Sequence, residues 1–74
     1  MKIYILHEAH SLCDYNDHEP FTTYEAAKKF FDATKASVET REQIEEVYHD
    51  NDDDYYVQVD GDSIRLYITE HTIN

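Results

Sequence analysis

Several residue types that define common protein classes are scarce in this sequence. A single cysteine, Cys13, rules out an internal disulfide framework and favours a reducing compartment. A single glycine, Gly61, leaves no room for the glycine-rich loop of a P-loop or of a dinucleotide-binding fold. No apolar run approaches the roughly 20 residues of a membrane-spanning helix. These absences predict a cytoplasmic protein without catalytic activity, cofactor or membrane contact.

Basic residues are also few. The chain has 6 Lys and Arg against 17 Asp and Glu, which gives a formal net charge of −11. Nucleic acids and anionic membranes need a basic surface, so direct nucleic-acid binding is not expected. The 74 residues allow one domain, 1–74, and the aromatic content of 14% is too high for a disordered acidic tail. The charge favours a basic partner protein, and the small core leaves a homodimer open.

Strands are predicted wherever apolar residues alternate. Residues 2–7 and 55–59 show this period of two, and Ile64, Leu66 and Ile68 continue it after a turn at Asp60-Gly61. A short additional strand fits near 15–21. The sequence therefore predicts a small antiparallel sheet of three strands, or of four with the additional one.

Two helices are predicted between the first strand and the last two. Thr22 and Glu25 match a capping box, and an apolar stripe that includes Ala27, Phe30 and Phe31 follows over 23–35. A second apolar stripe predicts a helix over 39–49. The predicted fold class is α+β, in the order β-α-α-β-β, with both helices packed on one face of the sheet.

Acidic residues concentrate in one segment. Residues 39–54 hold 8 of the 17 acids and one basic residue, Arg41. On the predicted second helix, spacings of three and four place four of the acids in one stripe, with about 5–6 Å between neighbours, as a mimic of successive phosphates. The predicted partner-binding residues are Glu39, Glu42, Glu45, Glu46, Asp50, Asp52, Asp53, Asp54 and Tyr56. The alternative is a solvated face that only keeps the protein soluble.

Tyrosine side chains flank this acidic segment. Tyrosines beside carboxylates suit an arginine-rich partner, through cation–π contacts and charge-assisted hydrogen bonds. The predicted stripes assign Tyr48 and Tyr55 to the core, which leaves Tyr56 as the candidate anchor.

A cluster of metal-ligand residue types lies in the amino-terminal half. His7, His10, Cys13 and His18 have the side chains that zinc prefers. Zinc fingers usually pair ligands from two separated knuckles, whereas only one cluster is present here. The primary prediction is therefore no metal, and a site formed by these four residues is an alternative.

The opening strand Lys2–Leu6 and the helix start Phe21–Lys28 resemble the beginning of many small phage and prophage proteins. The short, acidic, single-domain profile is similar to that of phage-encoded anti-CRISPR and anti-restriction proteins. That resemblance implies a nucleic-acid mimic that inhibits a basic nucleic-acid-binding protein, such as a CRISPR effector or a restriction nuclease, in the host cytoplasm. It carries over no individual residue. An immunity or antitoxin protein against a basic toxin, or a small metal-binding protein, is the alternative function.

Overall fold

The computed structural model describes residues 1–11 and 15–73. Its elements, in chain order, are β1 (Lys2–His10), β2 (Tyr15–Phe21), α1 (Tyr24–Arg41), β3 (Ile44–Asp50), β4 (Asp54–Val59) and β5 (Asp62–Thr72). No helix within this described part of the chain is long and apolar enough to cross a membrane.

The five strands form one antiparallel sheet in the order β2-β1-β5-β4-β3. The first and last strands are neighbours, with Lys2 opposite Thr72, so the start of β1 lies beside the end of β5. β2 and β3 are the two edges. The predicted turn between β4 and β5 is present, and Gly61 adopts the positive φ of 75° that favours glycine there.

One face of the sheet carries the core. The predicted alternation buries Tyr55, Val57 and Val59 on β4, and α1 lays Phe31 and Val38 against them. The buried apolar residues are Leu6, Ala27, Phe31, Val38, Tyr55, Val57, Val59, Ile64 and Leu66. Side chains that alternate with the core residues point to the other side of the sheet. We call that side the open face, because no described element covers it.

The predicted architecture of three or four strands with two helices is wrong. The structure has five strands and one helix in its described part, and the strand near 15–21 is one of the five. The predicted break after residue 35 does not occur, because Val38 continues the buried stripe of Ala27 and Phe31 at helical spacing. The predicted second helix over 39–49 is instead the last turn of α1 followed by β3.

The ends of α1 explain where the prediction failed. The helix ends at Arg41. The next residue, Glu42, is extended, with φ −110° and ψ 149°, and leads the chain into β3. At the other end the N-cap is Thr23, whose hydroxyl accepts a hydrogen bond from the Ala26 amide at 3.2 Å, rather than the predicted Thr22. The sequence therefore predicted the N-cap one residue too early.

Candidate protein-binding surface

The nine predicted partner-binding residues lie on three elements and the segments between them. Glu39 is in the last turns of α1, and Glu42 caps the helix. Glu45, Glu46 and Asp50 are on β3, Asp52 and Asp53 lie between β3 and β4, and Asp54 and Tyr56 are on β4. They form no single helical stripe, because the helix that would have aligned them is absent.

Three of the eight carboxylates have partners of their own. Asp54 accepts two hydrogen bonds from Arg65, at 3.1 Å from Nε and 2.8 Å from Nη2. Asp50 pairs with Lys35 of α1. Asp53 accepts a hydrogen bond from the Tyr24 hydroxyl at 3.4 Å. These contacts within the molecule partly neutralise or occupy the three carboxylates, so they are less available for hydrogen bonds and ion pairs with a partner.

The other five carboxylates form no ion pair within the part of the chain that the structure describes, although Asp52 lies close enough to Lys28 to help raise the pKa of that lysine. We call them the acidic edge: Glu39, Glu42, Glu45, Glu46 and Asp52. All but the half-buried Glu42 are exposed. Burial is the main cause of the raised pKa of Tyr55, and the charges of Glu39 and Asp50 raise it further. The end of α1 and β3 therefore bring acidic side chains close to the same tyrosine. The acidic edge therefore runs along one side of the fold.

β3 distributes its side chains over both faces of the sheet. Val47 faces Val57 on the core side, while Glu46 and His49 face Gln58 and Tyr56, which point to the open face. The register shifts twice, between Ile44 and Glu46 and between Val47 and His49. Such bulges twist an edge strand. Together with the exposed acids they oppose pairing of β3 with a second copy of itself.

A group of aromatic side chains lies beside Glu46 on the open face. The ring of Tyr48 is 4.8 Å from that of Tyr56, and its hydroxyl donates a hydrogen bond to Gln58 at 3.4 Å. The ring of His49 stacks 6.3 Å from that of Tyr56. Partial desolvation, then the charge of Glu46, raises the pKa of Tyr48. These rings provide an apolar surface next to unpaired carboxylates.

The structure changes the predicted roles of two tyrosines. Tyr55 is in the core, as predicted, with 1% of its surface exposed, but Tyr48 is 45% exposed and belongs to the open face. The helical stripe misassigned Tyr48, because it was read at a period of 3.6 in a strand. Sequence reasoning also missed His49. A period of two places Tyr56 and Gln58 on one face of β4, but only the register shows which β3 residues join them.

The histidine cluster forms only in part. His7 on β1 and His18 on β2 lie opposite each other, and their Nδ1 atoms are 2.7 Å apart. His10 is on the core side of β1, where its Nε2 is 2.7 Å from a Glu8 carboxylate oxygen. Cys13 lies outside the described residues. Within 1–11 and 15–73, no group of three or more His, Cys, Asp or Glu side chains is placed to hold a metal ion.

A row of contacts crosses the open face from β2 to β4. The ring of His7 stacks on Tyr67 at 4.4 Å and 9°, and the Arg65 guanidinium lies over Tyr67 at 4.3 Å. Arg65 in turn holds Asp54. The pKa of His7 is lowered mainly by burial. The charges of His18, His71 and Arg65 lower it further.

A shallow recess of about 300 Å³ lies at the end of the open face where β1 ends. Its walls are Ala9, His10, Ser11, Asn16, Tyr56, Ser63 and Arg65. The Ser63 hydroxyl hydrogen-bonds that of Ser11 at 2.8 Å, so two of the polar groups satisfy each other. Arg65 is likewise engaged with Asp54. Three polar residues of its walls, Ser11, Ser63 and Arg65, are thus hydrogen-bonded within the protein.

Comparison of the chain with protein-family models, with curated proteins and with solved structures finds no match.

Proposed function

We propose that this protein is a non-catalytic inhibitor that binds the basic nucleic-acid-binding groove of a partner protein in the cytoplasm of a host cell. In this proposal the protein is a phage-encoded anti-CRISPR protein or another anti-defence protein. The partner is a basic nucleic-acid-binding protein such as a CRISPR effector or a restriction nuclease.

The observation that carries the proposal is the acidic edge. Five carboxylates outside the ion pairs of the described residues lie between the end of α1 and the β3–β4 segment, while Lys35 and Arg65 pair with Asp50 and Asp54 instead. Like charges that gather without counter-charges cost folding stability and favour association with an oppositely charged surface. Their grouping at one edge is thus better suited to a partner than to solubility alone.

The mechanism is competition for lysine and arginine side chains. Carboxylates of the acidic edge accept charge-assisted hydrogen bonds from the groups that otherwise hold phosphates. Glu46 and the exposed ring of Tyr48 lie side by side, so an arginine can pair with the first and stack on the second. The contact resembles an arginine-rich interface in which an aromatic anchor accompanies the charge.

Salt should weaken this binding, because exposed charge pairs are screened beyond about 8 Å at physiological ionic strength. Most carboxylates of the acidic edge are exposed, so salt screens their attraction to a partner until the complex buries them. A partner captured at low salt and released at high salt is therefore the expected behaviour.

The test uses two double variants that alter opposite edges of the sheet. Glu45→Lys with Glu46→Lys changes the two members of the acidic edge that lie on β3, and Asp17→Lys with Glu19→Lys changes two exposed acids on β2. Both variants raise the net charge by the same amount. The wild-type protein and both variants are immobilised and exposed to lysate from the native host at low and high salt. The captured protein is then purified and titrated with duplex DNA in competition.

We expect the wild type and the β2 variant to retain a nucleic-acid-binding protein that DNA displaces, and the β3 variant to lose it. Equal loss in both variants would show that only overall charge matters. If DNA does not displace the captured protein, the proposal that the binding site is a nucleic-acid-binding groove is wrong. Capture of a toxin would instead identify this protein as an immunity protein. Circular dichroism of each variant confirms that the sheet is retained.

A further inference from the structure

The cross-strand pair of His7 and His18 is not used by the proposed function. Both residues are on the open face, and the β1–β2 ladder places them directly opposite each other. Side chains at such positions have Cβ atoms about 4.5–5.5 Å apart on the same face of a sheet. The convergence of the two Nδ1 atoms, 2.7 Å apart, is therefore set by the strands and not by a loop.

His7 is held in position by groups on β5. Its ring stacks on Tyr67, and its Nε2 is 2.8 Å from the Thr69 hydroxyl, which is itself 2.8 Å from Nε2 of His71. A histidine that binds a metal through one nitrogen usually donates its other N–H to a neighbouring oxygen, which fixes the tautomer. In the tautomer that carries its proton on Nε2, His7 donates to the Thr69 hydroxyl, and its Nδ1 lone pair is then directed towards His18.

We propose that His7 and His18 form a two-histidine site for a divalent transition-metal ion, with Cu²⁺ bound more tightly than Ni²⁺ or Zn²⁺. Imidazole nitrogen suits all three ions, and affinity rises to a maximum at Cu²⁺ along the first row. Bonds of about 2.0–2.1 Å from a metal to two nitrogens at 90–110° need the nitrogens about 2.9–3.4 Å apart. The observed 2.7 Å reaches that range through a small rotation of either ring.

This site differs from the four-residue cluster that the sequence offered as an alternative. His10 lies on the opposite side of β1 beside Glu8, and the described residues provide no third ligand within reach. Water completes the coordination sphere. The exposure of His18 on the edge strand β2 gives the ion direct access. An open site with two protein ligands binds more weakly than a closed structural site, and it ranks the metals by their intrinsic preference for imidazole.

The experiment titrates Cu²⁺ into the full chain carrying Cys13→Ser, because a free thiol binds and reduces this ion. Titration calorimetry gives the affinity of this parent protein and of His18→Gln and His7→Gln in the same background. His49→Gln is the matched control, since His49 is also exposed on the open face but stacks on Tyr56. His10→Gln tests whether His10 takes part, as the alternative four-residue cluster requires.

We expect each of the His7 and His18 variants to lower the affinity on the order of tenfold or more, and the two control variants to stay within about twofold of the parent. Thr69→Val, which removes the hydroxyl that holds His7, should lower the affinity less than loss of a ligand. Parallel titrations with Ni²⁺ and Zn²⁺ should give lower affinities than Cu²⁺.

Histidine resonances in the nuclear magnetic resonance spectrum provide a second readout that does not depend on variants. Substoichiometric Cu²⁺ should broaden the ring protons of His7 and His18 before those of His49. The proposal is overturned if the parent protein does not bind Cu²⁺, if His18→Gln binds as tightly as the parent, or if His49→Gln or His10→Gln loses as much affinity. Broadening that begins at His49 would overturn it as well.

Discussion

β3 and β4 are neighbours in the sheet, yet burial differs sharply between them. Every second residue of β4 is buried, whereas β3 has one half-buried residue, Ile44, and is otherwise exposed. Val57 and Val47 face each other across the two strands, with 0% and 52% of their surface exposed. An inner strand must supply the core, while an edge strand is free to carry charge. This freedom is what allows β3 to carry Glu45 and Glu46 of the acidic edge.

The largest expected effect comes from truncating the two valines that face each other. Val57→Ala removes two buried methyl groups and leaves a cavity, so we expect the free energy of unfolding to fall by about 2–3 kcal/mol. Val47→Ala removes the same atoms from an exposed position and should change it by less than about 0.5 kcal/mol. Urea denaturation of both variants measures the difference. Equal losses would mean that Val47 is covered in solution, against its 52% exposure here.

The same contrast explains which strands were predictable. β4 alternates Tyr55, Val57 and Val59 with polar residues, because one face is buried, and that pattern is visible in the sequence. β3 has no buried face to impose a period of two, and its bulges break the alternation further. Glu42, Glu46 and Asp50 then fall by coincidence at helical spacing. An edge strand of this kind gives no local signal, so the sequence predicted a helix.

The candidate site was predictable in composition but not in arrangement. That acids concentrate in 39–54 follows from the sequence alone. Which of them remain unpaired depends on Lys35 and Arg65, which reach Asp50 and Asp54 from other elements. These contacts span 15 and 11 residues along the chain and require the sheet register. The exposed position of Tyr48 has the same origin, since it follows from strand geometry.

Lys35 allows the contributions of β3 and β4 to be separated, because it contacts both. Its Nζ lies 4.9 Å from the centre of the Tyr55 ring on β4 and also pairs with Asp50 on β3. We expect Lys35→Ala to cost about 1 kcal/mol, through the lost cation–π contact and the packing of its stem. Asp50→Asn removes only a half-exposed ion pair and should cost less than about 0.5 kcal/mol.

Thermal or urea denaturation of the two single variants and the double variant isolates the ion pair as a coupling energy. If Asp50→Asn proves as costly as Lys35→Ala, Lys35 acts mainly through β3, and the edge strand contributes more to stability than its exposure indicates.

Alkaline pH should destabilise the protein through Tyr55 more than through Tyr48. Burial, then the charges of Glu39 and Asp50, raises the pKa of Tyr55 above its ordinary value near 10. Above pH 10 the unfolded chain has released a phenolic proton that the folded chain still holds, so stability falls as pH rises. Tyr55→Phe should flatten this loss. Tyr48→Phe should flatten it less, because Tyr48 is 45% exposed. Denaturation at several pH values from neutral to alkaline gives both slopes, and a steeper effect at Tyr48 would reverse the assignment.

The smallest expected effect concerns the charge of β3 itself. Glu46 has no basic partner among the described residues, so Glu46→Gln relieves repulsion within the acidic edge. We expect a gain in stability below about 0.5 kcal/mol at low salt that disappears at high salt. Gln58→Glu on β4 is the converse change, because it places a like charge directly opposite Glu46 and should cost about 0.2–1 kcal/mol at low salt. Loss of stability in Glu46→Gln would instead identify a basic partner for Glu46 within the fold, and β3 would then no longer be free to offer that charge to another protein.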